Sequence, residues 1–162
     1  MIRKADAYTI INEPIAGIDL MERAAAACFG WLKENIPADQ RIRVFCGSGN
    51  NGGDGLAIAR MMLDAGYRVD VYLLSAPEKM SDSCRVNFQR MQELRNDGMR
   101  EIRILVDSGD LPGMAKTDVA IDAIFGSGLT RPSEGFAAAA AFAPFATAAI
   151  TCDCVNPFAV CR

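Results

Sequence analysis

The order of apolar and polar residues near the start of the chain predicts a helix followed by a strand. Apolar residues recur at four-residue steps between Asp19 and Lys33, as in an amphipathic helix. Asp19 and Glu22 are spaced for a capping box at the start of this helix. The apolar run Ile42–Cys46 then has the length and composition of a buried strand.

The chain repeats this alternation of strand, loop and helix as far as residue 123. After the first strand the pattern predicts a helix through Ala65 ended by Gly66, a strand at 69–74, a helix from Ser81 towards Asn96, and strands at 102–106 and 119–123. Strands that alternate with helices indicate a parallel sheet covered on both faces. The predicted fold is therefore α/β, a Rossmann-like three-layer α/β/α sandwich with a mainly parallel sheet.

Length and composition favour one globular domain over residues 1–162. The chain is 51% hydrophobic and 23% charged, with a net charge of −3. Lys and Arg form no block that would bind a nucleic-acid backbone, and no apolar run reaches the roughly 18 residues that span a bilayer. We therefore expect no nucleic acid and no membrane among its partners, and a cytoplasmic location. The Ala- and Phe-rich segment 135–162 is atypical, because it lacks the polar face of a surface helix.

The six cysteines and the lack of histidine limit the chemistry that the chain can perform. Cys28, Cys46 and Cys84 lie singly in predicted helices and strands, so we expect buried, reduced thiols. The other three cysteines do not have the spacing of paired zinc ligands. A general acid or base must be Asp, Glu, Lys, Tyr or Cys.

A glycine-rich loop at 47–55 joins the first predicted strand of the sheet to a helix. It holds five glycines in nine residues, and its main-chain N–H groups with the helix N-terminus favour phosphate binding over a simple tight turn. Gly47, Gly49 and Gly52 also fit the dehydrogenase fingerprint G-x-G-x-x-G. An NAD dehydrogenase remains an alternative, disfavoured because the next strand ends at Ser75 without the acidic residue that binds ribose.

A second glycine loop, Asp122–Pro132, follows the strand at 119–123. The carboxyl ends of parallel strands meet at one edge of a sheet, where open α/β sheets form their ligand crevice. Asp122 as a turn cap and Arg131 as a solvated charge are the simpler alternatives. Two glycine loops at the same edge favour a shared ligand.

Three strings in this order resemble one known family. They are GSGNNGGDGLAIAR at 47–60, DAIFGSGLTRP at 122–132 and DLMERAA at 19–25, and they resemble the YjeF N-terminal domain family. Characterised members are NAD(P)H-hydrate epimerases, so the resemblance implies interconversion of the R and S epimers of hydrated NADH and NADPH. It also implies one bound K⁺, a homodimer, and functional coupling to an NAD(P)H-hydrate dehydratase.

The resemblance assigns roles to particular residues of this chain. Contact with the nucleotide falls on Asn50, Asn51, Gly52, Gly53, Asp54, Gly126, Ser127, Gly128, Leu129, Thr130, Arg131, Pro132 and Asp153. The ligands of K⁺ are Asn51, Asp122 and Asn156, whose side-chain oxygens suit a hard cation. Asp153 is the expected general acid or base at the hydrated carbon of the nicotinamide ring.

The chain departs from the family pattern in its last part. The family motif Asp-x-Pro-Ser-Gly is matched only by Cys152-Asp153-Cys154-Val155-Asn156-Pro157, in which Asn156 stands where the serine is expected. A truncated or frame-shifted coding sequence after about residue 134 would explain this departure. The alternative function is a non-catalytic YjeF-type module that binds a nucleotide or a protein.

Overall fold

The computed structural model describes residues 12–13, 15–94, 99–126, 149–151 and 160–161. The elements in chain order are α1 Gly17–Asn35, β1 Arg41–Cys46, α2 Asn50–Asp64, β2 Arg68–Leu73, α3 Asp82–Glu93, β3 Met99–Ile104, β4 Val119–Ala123, β5 Ala149–Thr151 and β6 Val160–Cys161. Short 3₁₀ turns at Pro77–Lys79 and Ser108–Asp110 precede α3 and β4. None of the helices within these ranges is both long enough and apolar enough to cross a bilayer.

The strands of the described ranges form one sheet in the order β3-β2-β1-β4-β5-β6. All neighbouring strands are parallel except β6, which is antiparallel to β5. The predicted α/β fold with a mainly parallel sheet is confirmed. The chain winds outward from β1 through β2 to β3, and then returns to the other side of β1 as β4. This reversal makes the gap between the carboxyl ends of β1 and β4 the place where such sheets bind ligands.

The main core lies between one face of the sheet and the three described helices. Alternate residues of the strands, such as Val44, Val71 and Ile121, are fully buried against α2, and α1 and α3 pack against α2 in turn. On the opposite face Phe45 stacks on Tyr72 with ring centroids 5.0 Å apart, within a smaller apolar cluster. The three described helices do not form the predicted third layer, so that part of the prediction lies outside the described residues.

The start of α1 differs from the prediction. The helix begins at Gly17 after Ala16, without a side-chain cap, so the predicted capping box of Asp19 and Glu22 is wrong. The Glu22 carboxylate instead pairs with Arg60 of α2 and with Arg90 of α3, the latter at 2.6 Å. Asp19 remains in the first turn, where its charge favours the helix dipole.

The ends of α2 and α3 agree with the pattern more closely. Gly66 follows α2 with a φ of 87°, and the amides of Gly66 and Tyr67 bond back to the carbonyls of Leu63 and Met62, which completes a Schellman motif. Ser81 caps α3 as predicted, since its side chain accepts a hydrogen bond from the Cys84 amide. The helix itself ends at Glu93, and the predicted extension towards Asn96 reaches beyond the described residues.

The third strand lies earlier than predicted, at Met99–Ile104 instead of 102–106. After Leu105, whose amide still bonds to Leu73 of β2, the amides of Val106 and Asp107 turn to the carboxylate of Asp110. An aspartate that accepts two local amides offers the backbone an alternative to the sheet ladder, so the strand ends there. The fourth strand is where the pattern predicted it.

Close contact between α2 and the two central strands depends on Gly55. A Cβ atom at this position would lie 2.4 Å from the Cβ of Ala123 in β4 and 3.1 Å from the Sγ of Cys46 in β1. Both neighbours are fully buried and belong to the sheet, so neither has space into which it could move. Helix α2 therefore lies on the sheet at a distance that only glycine permits at this point.

We predict opposite effects for two Gly→Ala substitutions in helices. Gly55→Ala should destabilise the fold by about 1–3 kcal/mol or more through overpacking. Gly30→Ala, in α1 with open space around it, should stabilise by about 0.5–1 kcal/mol because alanine has the better helix propensity. Urea unfolding measures both free energies. Equal effects of the two substitutions would show that α2 can move away from the sheet.

Candidate functional site

The loops that follow β1 and β4 touch each other at the switch point of the sheet. Phe45 and Cys46 of β1 are in register with Asp122 and Ala123 of β4, and the Gly47 amide donates to the Ala123 carbonyl at 3.1 Å. Just beyond, the side-chain amide nitrogen of Asn51 donates to the Phe125 carbonyl at 3.0 Å. The two predicted loops therefore converge, and Asn51 and Asp122 lie at the same edge of the sheet.

Helix α2 begins at this edge with main-chain donors that are not used within the helix. Its N-cap is Gly49, which has no side chain to bond the first-turn amides, and the first turn carries no acidic residue. The amide of Gly53 already bonds to the Gly49 carbonyl, so the first-turn amides that the helix does not use are those of residues 49–52. Gly52 permits this tight start, because a Cβ there would lie 1.9 Å from the carbonyl oxygen of Gly47.

The structure divides the predicted contact residues 50–54 into two groups. Asn50 is exposed and Asn51 half-buried, and both stand at the opening of the site. Gly52, Gly53 and Asp54 are buried, and the Asp54 side chain belongs to the interior with 4% of its surface exposed. Direct access for a ligand is therefore greatest at the first two residues of α2.

The side chains of Asn51 and Asp122 both present oxygen atoms at the junction of the loops. Because the amide nitrogen of Asn51 is held by Phe125, the Oδ1 atom is the part of this carboxamide left to accept or coordinate. One oxygen of Asp122 accepts the Ile124 amide at 2.9 Å. Burial raises the pKa of Asp122, and that hydrogen bond offsets part of the rise. A desolvated carboxylate of this kind favours a neighbouring cation.

A third loop, which the sequence did not assign to the site, packs beside the glycine loop. It joins β2 to α3, and its Leu74 amide donates to the Cys46 carbonyl at 2.9 Å. At its other end the Ser81 amide donates to the Ser48 carbonyl at 2.8 Å, and the Ser81 hydroxyl donates to Oδ1 of Asn50 at 2.9 Å. The parallel order of β2 beside β1 was the sequence signal that could have placed this loop here.

Side chains of α3 support the glycine loop from the core. The Cys84 thiol contacts the Gly47 carbonyl at 3.8 Å, and the amide nitrogen of Asn87 donates to the Gly53 carbonyl at 3.2 Å. Burial raises the pKa of Cys84 to about 11 and raises that of Cys46 well above its usual range. Cys46 and Cys84 are buried free thiols, as predicted, whereas Cys28 is only half-buried, so its predicted burial is wrong. Neither thiol beneath the loop is suited to acid or base chemistry at neutral pH.

Part of the predicted site lies outside the described residues. These positions are Ser127, Gly128, Leu129, Thr130, Arg131, Pro132, Asp153 and Asn156. Gly126 is described, and a Cβ there would lie 3.2 Å from the Cβ of Asn51, so the second loop passes close to the start of α2. Within the part of the chain that the structure describes, no three His, Cys, Asp or Glu side chains are grouped so that they could hold a metal ion.

The amino-acid sequence is similar to a known protein family and to several named proteins. The family described as "YjeF-related protein N-terminus" matches residues 17–154. A Rhodobacter capsulatus protein named NAD(P)H-hydrate epimerase is 32% identical over 142 residues, which cover 83% of this chain and 63% of that protein. A bifunctional NAD(P)H-hydrate repair enzyme Nnr of Salinibacter ruber is 34% identical over 140 residues, which cover 80% of this chain and 26% of the enzyme.

A solved structure supports the fold independently. The crystal structure of the yeast protein YNL200c matches with a TM-score of 0.75 at 18% sequence identity, over 94% of this chain and 67% of the yeast chain. At this identity the likeness extends to the fold alone. The described elements therefore have the arrangement of a known α/β protein.

We predict that the Cys84 thiol, beneath the glycine loop, does not react with alkylating reagents in the folded protein. With a pKa of about 11, roughly one Cys84 thiol in a thousand is ionised at pH 8, and the side chain is buried as well. Iodoacetamide at pH 8 should modify the half-buried Cys28 faster than Cys84, and urea should remove the difference. Peptide mapping by mass spectrometry measures each site. Rapid modification of native Cys84 would contradict the tight packing of α3 under the loop.

Proposed function

We propose, since this chain belongs to the family of YjeF-related protein N-termini, that it is an NAD(P)H-hydrate epimerase. The reaction would interconvert the R and S epimers of hydrated NADH and NADPH and so serve repair of the nicotinamide coenzymes. Relatives that carry this name support the proposal, although the chain spans 63% of the length of one of them and 26% of a bifunctional one. The observation that carries it is the contact between the two glycine loops at the switch point of the sheet.

The start of α2 is the proposed seat of the coenzyme's phosphates. The main-chain N–H groups of residues 49–52 are not used within the helix, and the positive end of the helix dipole lies at the same place. Phosphate oxygens accept from such groups without a dedicated cationic side chain. The residues 126–132 would complete the phosphate site from the second loop, with Arg131 adding a positive charge.

The two described side chains of the proposed cation site, Asn51 and Asp122, carry oxygen atoms of the kind that bind K⁺. Asp122 offers a partly desolvated carboxylate, and Asn51 offers the carboxamide oxygen that Phe125 leaves uncommitted. Both are hard oxygen ligands, and Asn156 is the proposed third. A bound K⁺ would supply positive charge beside the nucleotide. Asn51, Asp122 and Asn156 would hold the ion where the two loops meet.

The proposed acid or base is Asp153, the residue to which the family resemblance assigns the proton exchange at the hydrated carbon. The chain has no histidine, and burial keeps the thiols of Cys46 and Cys84 protonated at neutral pH, so neither thiol competes for this role. Fixed phosphates would hold the nicotinamide ring in place while the proton moves.

The remaining expectations concern the cellular setting. We infer coupling to an NAD(P)H-hydrate dehydratase, which one relative's description as a bifunctional repair enzyme supports. We also infer a homodimer and a cytoplasmic location. These inferences follow from the family and from the composition of the chain.

A non-catalytic module that binds a nucleotide or a protein partner is the second candidate function. The specific observation in its favour is the segment at 152–157, which lacks the Ser-Gly of the family motif. Under this alternative the loops at the switch point would bind a nucleotide without converting it.

We expect the purified chain to accelerate epimerisation of hydrated NADPH. In a coupled assay with an S-specific dehydratase, the R epimer should be consumed faster than in the absence of the chain. Asp153→Ala should slow this step by roughly a hundredfold to ten-thousandfold, since the proton-transfer group is lost. Nucleotide binding without turnover by the unmodified chain would favour the non-catalytic module, and an unchanged rate for Asp153→Ala would refute the assigned role.

The cation site gives a separate prediction. Asp122→Asn keeps the size of the side chain and an oxygen for the Ile124 amide, but it removes the charge. The K⁺ concentration for half-maximal activity should rise at least roughly tenfold, since even the loss of a residue that only supports a metal ligand costs this much affinity. Asp64→Asn, at the exposed far end of α2, is the matched control and should not change it. Activity titrated with KCl against tetramethylammonium chloride gives both values, and equal values would argue against Asp122 as a ligand.

A further inference from the structure

We propose that Ser81 is a positioning residue for nucleotide binding. It holds the carboxamide of Asn50 with the oxygen turned towards Ser81, so that the NH₂ group donates to a phosphate oxygen of the bound coenzyme. This inference rests on the proposed function and adds a residue of the β2–α3 loop to the site. The pairing of Ser81 with Asn50, across 31 positions of the sequence, carries it.

Besides the helical bond from the Arg85 amide to its carbonyl, three hydrogen bonds hold Ser81 in place. Its amide donates to the Ser48 carbonyl at 2.8 Å, which ties the start of α3 to the glycine loop. Its hydroxyl oxygen accepts the Cys84 amide at 3.4 Å as the cap of α3. The same hydroxyl donates its proton to Oδ1 of Asn50 at 2.9 Å.

The hydrogen bond from Ser81 determines which end of the Asn50 carboxamide faces a ligand. A carboxamide has an acceptor oxygen on one side and two N–H donors on the other, and the two ends are nearly equal in size. With Oδ1 engaged, the exposed Asn50 presents donors beside the first-turn amides that α2 itself does not use. An anion at the helix N-terminus would then accept side-chain and main-chain hydrogen bonds together.

The neighbouring asparagine is held in the opposite sense. Asn51 donates its amide nitrogen to the Phe125 carbonyl, so its oxygen is the end that remains. Two adjacent residues of the same type thus present unlike groups, a donor at Asn50 for phosphate and an acceptor at Asn51 for the cation. The partner of each side chain, Ser81 or Phe125, makes the difference.

A double-mutant cycle of Ser81→Ala and Asn50→Ala tests this role. Binding of hydrated NADPH is measured by titration calorimetry, turnover by the coupled assay, and folding by the thermal midpoint. Ser81→Ala should raise Kd and KM by about three- to tenfold, the usual effect of one hydrogen bond, and leave kcat unchanged. In the Asn50→Ala background the same substitution should have no further effect on Kd.

Two further variants separate positioning from capping. Ser81→Thr keeps both the capping oxygen and the hydroxyl proton, so its Kd should stay within about twofold of the original. Gln92→Ala, exposed near the other end of α3, should change neither Kd nor KM. Loss of the cap should lower the thermal midpoint of Ser81→Ala equally in both backgrounds, whereas the change in Kd should depend on Asn50.

The outcomes distinguish this inference from the proposed function. If Ser81→Ala weakens binding equally with and without Asn50, or does not weaken it at all, the positioning role is overturned while the epimerase proposal stands. Binding without turnover by the unmodified chain refutes the epimerase alone, and the cycle in Kd still decides the role of Ser81. Absence of binding by the unmodified chain overturns both.

Discussion

The close approach of α2 to the central strands is the constraint on which the site depends. Gly55 allows the helix to lie against Ala123 and Cys46, and Gly52 allows its first turn to start directly above the Gly47 carbonyl. As a result the N-terminus of α2 lies in the gap between β1 and β4, where the topology of the sheet reverses. The glycines of this loop therefore serve packing as much as ligand access. Their two roles are linked, because the helix dipole and the first-turn amides reach the crevice only when the helix lies this close to the sheet.

Much of the fold could be predicted from the sequence, because its signals are local. Short apolar runs, a glycine cluster and the helix stop at Gly66 each act within a few residues, and together they specify a parallel sheet with two loops at one edge. The end of β3 was predicted less well, since it depends on Asp110 drawing the amides of Val106 and Asp107 out of the ladder. A residue that lies six positions beyond the strand end at Ile104 leaves little trace in hydrophobic periodicity.

The candidate site was predictable in its loops but not in their supports. The glycine strings identified the residues at the opening, whereas the docking of Ser81 onto Ser48 and Asn50 joins segments about thirty positions apart. Similarly, Asp19 and Glu22 have the spacing of a capping box, but Glu22 is used between helices instead of within one. In both cases the local sequence indicates only a role within one helix, whereas the packing of α1, α2 and α3 gives the polar side chain a partner in another element.

The carboxylate of Glu22 links the three helices α1, α2 and α3 through two ion pairs. Arg60 and Arg90 come from different helices, and their like charges are held near each other by a single anion contributed by α1. If α1 detached, the two guanidinium groups would repel each other across the seam between α2 and α3. The attachment of the first helix thus bears on how firmly the other two stay together. The packing of any two of the helices α1, α2 and α3 therefore depends on the third.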